Sequence, residues 1–293
     1  MTTIRLGSRG SPLALAQSRM VAAWLERAHP GLAVPITIVR TEGDRNTDAS
    51  LTAAGGKGLF VKELEDALLA GTIDLAVHSL KDLPTELPGG LTLAAIPKRH
   101  DARDALIARD VARLDALKEG ALVATGSPRR QCQLKARRAD LRFVAVRGNV
   151  DTRVKKLERG EFDALVLAVA GIERLGLATP PRAPIPTEIC LPAPGQGALG
   201  LETRADDAET RQLVAALDDP AARAAVTAER AFLAELGAGC LAPAAAFAQV
   251  SGGRIVLEAM VGDAETGAVQ RDTAAGPAED AASLGASLAG RLS

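Results

Sequence analysis

The chain has 293 residues, a net charge of −1 and a composition that is 47% hydrophobic but only 2% aromatic. This length exceeds what one hydrophobic core usually serves, so two or three domains are predicted. No apolar run approaches the ~20 residues that span a bilayer, and the near-neutral charge with five Phe, one Trp and no Tyr gives no nucleic-acid signature. We therefore expect a protein that binds neither membrane nor nucleic acid.

Cysteine and histidine usage argues against a metal site. Cys132, Cys190 and Cys240 form no Cys-x-x-Cys pair, which disfavours both a disulfide framework and structural zinc. The three histidines also lack the spacing of metal ligands. No metal is predicted, and each cysteine is treated as a single thiol.

The N-terminal part predicts an α/β domain. It lacks the apolar stretch of a secretory signal peptide, so a cytoplasmic protein is expected. Ser11 and Pro12 suit the N-cap and the first turn of a helix that runs to about residue 27. Strands are predicted at 4–6, 34–40 and 73–77, and a further helix at 60–70. This alternation implies a mainly parallel sheet.

The pattern repeats in the middle of the chain. Strands are predicted at 122–124, 142–146 and 164–168, with helices starting at 129 and spanning 151–159. The Pro- and Gly-rich stretch 180–200 is interpreted as a crossing or hinge. These features indicate a second α/β domain.

The C-terminal part has a different pattern. A helix at 220–236 is followed by a loop ending at Cys240, three strands at 244–250, 254–261 and 268–273, and a closing helix near 278–292. This order predicts a small α+β domain.

Polar side chains follow several predicted strands, where open α/β sheets bind ligands. Residues 121–160 carry eleven Lys and Arg against three acids. Arginine binds carboxylates and phosphates in a bidentate manner, so a ligand with several anionic groups is expected. The residues in these positions are Arg9, Lys81, Asp82, Thr125, Ser127, Arg129, Arg130 and Arg147, with Arg153 one turn into the next helix.

Each candidate also has an ordinary structural interpretation. The arginines could be solvated surface, and Asp82 could stabilise a developing cation or cap a turn beside Lys81. The segment Gly55–Gly58 resembles a phosphate-binding loop but lacks the Walker spacing, so Lys57 could bind a carboxylate or be an exposed loop residue. Cys240 is either an accessible thiol or an inert one.

Seven separated segments together resemble the porphobilinogen deaminase family, also called hydroxymethylbilane synthase. The resemblance runs over nearly the whole chain. The segments are residues 8–14 (SRGSPLA), 55–64 (GGKGLFVKEL), 78–84 (HSLKDLP), 129–134 (RRQCQL), 147–150 (RGNV), 194–198 (PGQGA) and 239–240 (GC).

This resemblance implies a transferase that condenses four molecules of porphobilinogen head to tail, with release of ammonia, to give hydroxymethylbilane. It also implies a dipyrromethane cofactor, joined to Cys240 by a thioether, and Asp82 as the catalytic aspartate. The implied cofactor-binding residues are Lys57, Ser79, Lys81, Asp82, Thr125, Ser127, Arg129, Arg130, Arg147 and Gly148. The implied substrate-binding residues are Arg9, Ser11, Gln17, Arg153, Arg174 and Gln196.

The fold implied by the resemblance has two α/β domains similar to those of periplasmic binding proteins, and a small α+β domain with a three-stranded antiparallel sheet. We place domain 1 at 1–97 and 198–216, domain 2 at 103–191 and domain 3 at 220–293, in a monomer. Two other classes stay open from the residues alone. A small-anion binding protein would have no use for Cys240, and a nucleic-acid binder would need more aromatic residues.

Overall fold

The computed structural model describes residues 2–39, 61–110, 113–237 and 243–293. The chain divides into two compact units, Met1–Arg99 with Ala198–Arg223, and His100–Gly197 with Ala224–Ser293. The finer three-domain division stays a prediction.

The described strands and helices, numbered in chain order, are as follows. The strands are β1 (Leu6–Ser8), β2 (Ile36–Ile38), β3 (Leu75–Ser79), β4 (Leu91–Ala95), β5 (Asp104–Ala108), β6 (Leu122–Ala124), β7 (Arg142–Val144), β8 (Ala164–Ala168), β9 (Arg182–Pro184), β10 (Leu199–Arg204), β11 (Ala244–Ser251), β12 (Arg254–Gly262) and β13 (Val269–Pro277). The helices are α1 (Pro12–Ala28), α2 (Lys62–Leu69), α3 (Pro128–Arg137), α4 (Val150–Glu158), α5 (Val169–Leu175), α6 (Ala208–Ala215), α7 (Pro220–Glu235) and α8 (Ala281–Leu292).

The first unit is built on a mixed sheet with the strand order β2-β1-β3-β10-β4. Strand β1 pairs in parallel with β2 and β3, whereas β10 runs antiparallel to both β3 and β4. Apolar residues of α1 and α6, such as Leu25 and Val214, pack on one face. On α2, Leu64 and Leu68 pack in a separate cluster with Ala76 of β3. Helices therefore cover both faces at the centre of this sheet, whereas the edge strand β2 is partly exposed, with Ile38 at its end.

The second unit contains a sheet with the strand order β7-β6-β8-β5-β9. Strand β6 pairs in parallel with β7 and β8, and β5 runs antiparallel to β8 and β9. Separate apolar clusters include Leu157 of α4 and Leu134 of α3. The antiparallel strand occupies the same place in this sheet as β10 does in the first.

The same unit also contains the antiparallel sheet β11-β12-β13. Helices α7 and α8 contribute Phe232 and Leu288 to a core with Ile255 and Leu257 of β12. A Cβ atom on Gly285 would lie 2.1 Å from the carbonyl oxygen of Ala228. The close approach of α8 to α7 therefore depends on glycine at this position.

The predicted fold class is confirmed, because two α/β sheets and a three-stranded antiparallel α+β part are all present. Two predicted strands are displaced by two residues. Strand β1 continues through Gly7, where a Cβ would lie 2.3 Å from Ile73 Cδ1, so glycine here relieves crowding and does not mark a loop. Strand β3 includes His78, which is buried against a carboxylate of β10. The sequence prediction missed β4, β5, β9, β10, α5 and α6.

Candidate active site

In the first unit, the predicted site residues gather where β1 and β3 lead into their loops. Ser11 caps α1, and its Oγ accepts a hydrogen bond from the Ala14 N–H at 3.3 Å. Gln17, one turn further on, is buried and its Nε2 donates to Ser79 Oγ at 2.9 Å. The bond between Gln17 and Ser79 joins α1 to the end of β3, whereas the Ser11 cap is local to the start of α1. Arg9 lies in the preceding loop and is partly buried.

Asp82 lies at the end of a short 3-10 turn, Leu80–Asp82, that follows β3 directly. The turn is held by Leu80, whose side chain is buried and whose N–H donates to the Ala198 carbonyl at 3.1 Å. The side chain of Asp82 is exposed. Within the described part of the chain, no hydrogen bond or ion pair engages its carboxylate. A turn anchored by Leu80 thus presents a carboxylate that is available to a ligand, and Lys81 lies beside it in sequence.

In the second unit, Thr125 and Ser127 lie between β6 and α3. Thr125 is buried, and its Oγ1 accepts a hydrogen bond from the Ser127 N–H at 3.2 Å. Ser127 occupies the N-cap position of α3, but its side chain makes no capping hydrogen bond. Pro128 follows at the first helical position, where its missing N–H has no cost. The positive end of the helix dipole therefore lies beside a partly exposed hydroxyl.

Arg129 and Arg130 are buried on one carboxylate, that of Asp104 at the start of β5. Arg129 Nη1 lies 2.9 Å from Asp104 Oδ2, and Arg130 Nη2 lies 2.6 Å from Oδ1. Burial alone would raise the pKa of Asp104, but the two guanidinium charges and their hydrogen bonds hold it well below its usual range. Asp104 is therefore ionised, and both arginines have a structural partner as well as their predicted ligand.

Gln196 completes this cluster from the crossing segment. Its Nε2 donates to Asp104 Oδ1 at 2.9 Å and to the Ala102 carbonyl at 2.6 Å. The thiol of Cys190 also lies 3.5 Å from Asp104 Oδ2. Burial, with the negative charge of Asp104 adding to it, raises the pKa of Cys190 to about 12. The thiol is therefore neutral at physiological pH.

Arg147, Gly148 and Arg153 lie at the start of α4. Arg147 is exposed. Gly148 has a φ of +105°, a conformation that L side chains rarely adopt, and its carbonyl accepts a hydrogen bond from Arg153 Nε at 2.8 Å. Glycine thus permits the turn that places both arginines beside the same helix N-terminus.

Arg174 differs from Arg129 and Arg130 because no described carboxylate pairs with it. Its Nη2 donates to the Gly197 carbonyl at 2.7 Å, while its Nε is buried and makes no hydrogen bond within the described residues. Burial lowers the pKa of Arg174 to about 10. A positive charge with incomplete hydrogen bonding in a partly buried place is well suited to bind an anion.

Lys57 and Cys240 lie outside the described residues. Asp104 was not among the predicted site residues, although an acid at the head of the apolar run Asp104–Ala108 was a possible signal. Within the described ranges, no group of His, Cys, Asp and Glu could hold a metal ion. No helix among those residues is long and apolar enough to cross a membrane.

Comparison with known proteins gives matches along nearly the whole chain. The family domain described as "Porphobilinogen deaminase, dipyromethane cofactor binding domain" matches residues 4–212, and "Porphobilinogen deaminase, C-terminal domain" matches residues 223–293. The chain is 51% identical to the porphobilinogen deaminase of Roseiflexus sp. (strain RS-1), over 99% of this chain and 95% of that protein. It is 48% identical to that of Syntrophus aciditrophicus (strain SB), over 99% and 94%. Among solved structures, a Salmonella typhimurium periplasmic binding protein aligns with a TM-score of 0.40 and 14% identity, over 74% of this chain and 92% of that one.

Proposed function

Because the chain belongs to the porphobilinogen deaminase family, it condenses porphobilinogen in tetrapyrrole biosynthesis with a dipyrromethane cofactor, and we propose that Asp82 carries the chemistry of each step. The observation that supports this role is the exposed carboxylate of Asp82, fixed by the buried Leu80 and free of partners within the described part of the chain.

The carboxylate of Asp82 stabilises the positive charge that develops during the reaction, and it accepts hydrogen bonds from N–H donors. Loss of ammonia from porphobilinogen leaves a cationic carbon electrophile, and a fixed carboxylate nearby lowers the energy of that charge without reorganising. The same carboxylate accepts hydrogen bonds from pyrrole N–H groups, which orients the ring. An isosteric amide would keep the shape and lose the charge.

The residues of this chain fit the chemistry of the dipyrromethane. Each pyrrole unit carries carboxylates and an N–H group, which require cations and an acceptor. Arg174, with its buried Nε lacking a described partner, supplies a cation, and Asp82 supplies an acceptor. When bound, the cofactor provides a tethered primer that accepts each new pyrrole unit.

The arginines of the second unit hold the carboxylates of cofactor and substrate. Arg147, Arg153 and Arg174 act directly. Arg129 and Arg130 share one carboxylate, that of Asp104, so two positive charges face one negative charge and a net positive charge persists at the start of α3. That charge attracts anions even though neither guanidinium is exposed.

The remaining assignments rest on the family alone. Cys240 forms the thioether to the cofactor, and Lys57, Lys81, Ser79, Thr125, Ser127 and Gly148 contact it. Arg9, Ser11, Gln17 and Gln196 serve the substrate side, with Ser11 and Gln17 acting through the α1 and β3 hydrogen bonds described above.

The chain works as a cytoplasmic monomer. Cys132 and Cys190 are both buried free thiols, which is typical of a reducing compartment. Sedimentation of the purified protein at micromolar concentration tests the monomer, and a dimer mass would contradict it.

Asp82→Asn tests the catalytic assignment, with Glu86→Gln, another exposed carboxylate of the same segment, as the matched control. We expect Asp82→Asn to retain the cofactor mass on the intact protein and to lose at least about a hundredfold in ammonia release, in line with the loss of a preorganised electrostatic group. Glu86→Gln keeps both. Normal ammonia release by Asp82→Asn would remove Asp82 from this role.

A further inference from the structure

Three titratable side chains are buried close to one another in the first unit. They are Glu65 of α2, His78 of β3 and Glu202 of β10, with exposed fractions of 7%, 5% and 0%. His78 Nε2 lies 2.9 Å from Glu202 Oε2. None of them has a role in the functions proposed above, yet a buried ionisable group lowers stability unless it is paired or hydrogen-bonded.

The strand register explains how His78 and Glu202 meet. Gly200 lies opposite His78, and Glu202 lies two residues further along the same strand, so the two side chains are diagonal neighbours on one face of the sheet. Ala76 belongs to the same face as His78, and it packs with Leu64 of α2. The pair therefore lies on the face that α2 covers, where Leu64, Leu68 and Ala76 form an apolar cluster.

Glu65 adds a second buried carboxylate to this layer. Burial raises the pKa of Glu65, and the charge of Glu202 raises it further, whereas His78 opposes both. Glu65 Oε1 and Glu202 Oε1 make no hydrogen bond within the described residues. The imidazole of His78 and the carboxylate of Glu202 lie 2.9 Å apart, but one carboxylate oxygen has no hydrogen bond within the described residues. Apolar residues at these positions would give an equal or higher stability, so stability does not explain why the pair is present.

The position of His78 points to its purpose. It is the penultimate residue of β3, and the turn ending at Asp82 starts two residues later. Below that turn, a Cβ on Gly200 would lie 2.8 Å from Leu80 Cδ1, so β10 approaches the turn closely. Fixing the His78 ring on Glu202 fixes the end of β3, and hence the base of the turn.

We propose that Glu202 is a positioning residue for the condensation reaction, which acts through His78 to hold the turn that presents Asp82. This inference rests on the role of Asp82 proposed above. Displacement of a catalytic group by about 1 Å can cost about a hundredfold in rate, so a bond at the base of the turn affects kcat without any contact to substrate.

The test compares Glu202→Ala with Glu202→Gln, whose amide oxygen can still accept a hydrogen bond from His78. At a temperature well below unfolding, we expect Glu202→Ala to lower kcat about tenfold with KM within about twofold, the loss expected for one hydrogen bond to a charged group. Amide hydrogen exchange of residues 79–83 accelerates in Glu202→Ala, and Glu202→Gln restores most of kcat and of the protection.

Asp74→Asn is the matched control, because Asp74 is a buried carboxylate at the opposite end of β3 and pairs there with Arg5 and Arg204. It loses comparable stability but keeps kcat and the protection of residues 79–83. Where Glu202→Ala does not fold, Glu202→Asp, which is one methylene shorter, takes its place.

Unchanged kcat and unchanged exchange in the folded Glu202 variant would overturn the proposal. A loss of kcat equal to that of Asp74→Asn would overturn it too, since it would reflect general destabilisation. Asp82→Asn, measured alongside, separates the two hypotheses. If Asp82→Asn is inactive while Glu202→Ala is normal, only the positioning role fails, whereas an active Asp82→Asn removes the proposed catalytic role itself.

Discussion

Replacing Arg174 by methionine is expected to stabilise the protein and to impair its activity. The guanidinium is partly buried, has no described carboxylate partner, and has a pKa lowered to about 10 by burial. That reduction corresponds to about 3 kcal/mol of lost solvation for the charged form. Because the side chain is not wholly buried, we expect the substitution to recover about half of this solvation free energy as stability.

The neighbouring hydrogen bond does not cancel that gain. Arg174 Nη2 donates to the Gly197 carbonyl, but the same carbonyl also accepts from the His100 N–H at 3.2 Å, so it keeps a partner in the variant. Methionine has a similar length and fills the space with apolar atoms. A net gain of about 1 kcal/mol would raise the thermal midpoint by about 2–4 °C.

Activity moves the opposite way if Arg174 binds a carboxylate of cofactor or substrate. A hydrogen bond between charged groups contributes about 1.5–3 kcal/mol, which predicts a fall in kcat/KM of about 10- to 100-fold. Calorimetry and initial rates of ammonia release measure the two effects. Arg159→Met, at an arginine of the same unit that is 67% exposed, should change neither. A destabilised Arg174→Met with normal kcat/KM would refute the reasoning, because the charge would then be structural.

Three further predictions concern covalent chemistry and pH. In intact-mass spectrometry, Cys240→Ser is expected to lack the mass of the cofactor. Cys132→Ser should retain it, because Cys132 is buried in the described structure. A cofactor mass on Cys240→Ser would contradict the thioether. Burial raises the pKa of Glu65, so the stability that protonated Glu65 contributes is complete below the ordinary carboxyl pKa and is lost as pH rises through the folded pKa. In urea unfolding, the unfolding free energy of Glu65→Gln should therefore rise relative to that of the wild type towards neutral pH. Although burial opposes it, hydrogen bonding to Arg5 lowers the pKa of Asp74 to about 2. Asp74→Asn is therefore expected to lose about 2 kcal/mol of unfolding free energy at pH 7, and progressively less as pH falls towards 2. An equal loss at pH 7 and at pH 2 would contradict this.

Helices that begin with a capping residue were predicted better than strands that lack an alternation of apolar and polar residues. Ser11 and Pro12 give the start of α1 directly, because capping and the fixed φ of proline are local effects. Strand β10 was missed because its residues, Leu199–Arg204, follow a Pro- and Gly-rich segment that favours a loop. It forms a strand because β3 and β4 provide partners on both sides, and neither partner is near in sequence.

The candidate site shows the same limit. The sequence could place polar residues after strands, but it could not separate Arg129, which is buried on Asp104, from Arg174, which has no described acid. The difference depends on which carboxylates the fold brings close, and Asp104 precedes Arg129 by twenty-five positions. Glu202 and His78 were likewise not linked, because their contact depends on the register of two strands that lie far apart in the chain.

The place of β10 in the first sheet has a consequence for the order of events on the ribosome. Strand β10 lies between β3 and β4, yet it is synthesised only after the whole of residues 96–198. The second sheet, in contrast, contains only strands from one uninterrupted stretch, β5 to β9. It can therefore be complete while β3 and β4 still have unpaired edges that invite association with other chains. The N-terminal sheet, although translated first, closes later, and an arrest of translation before residue 199 leaves the segment that bears Asp82 without its support.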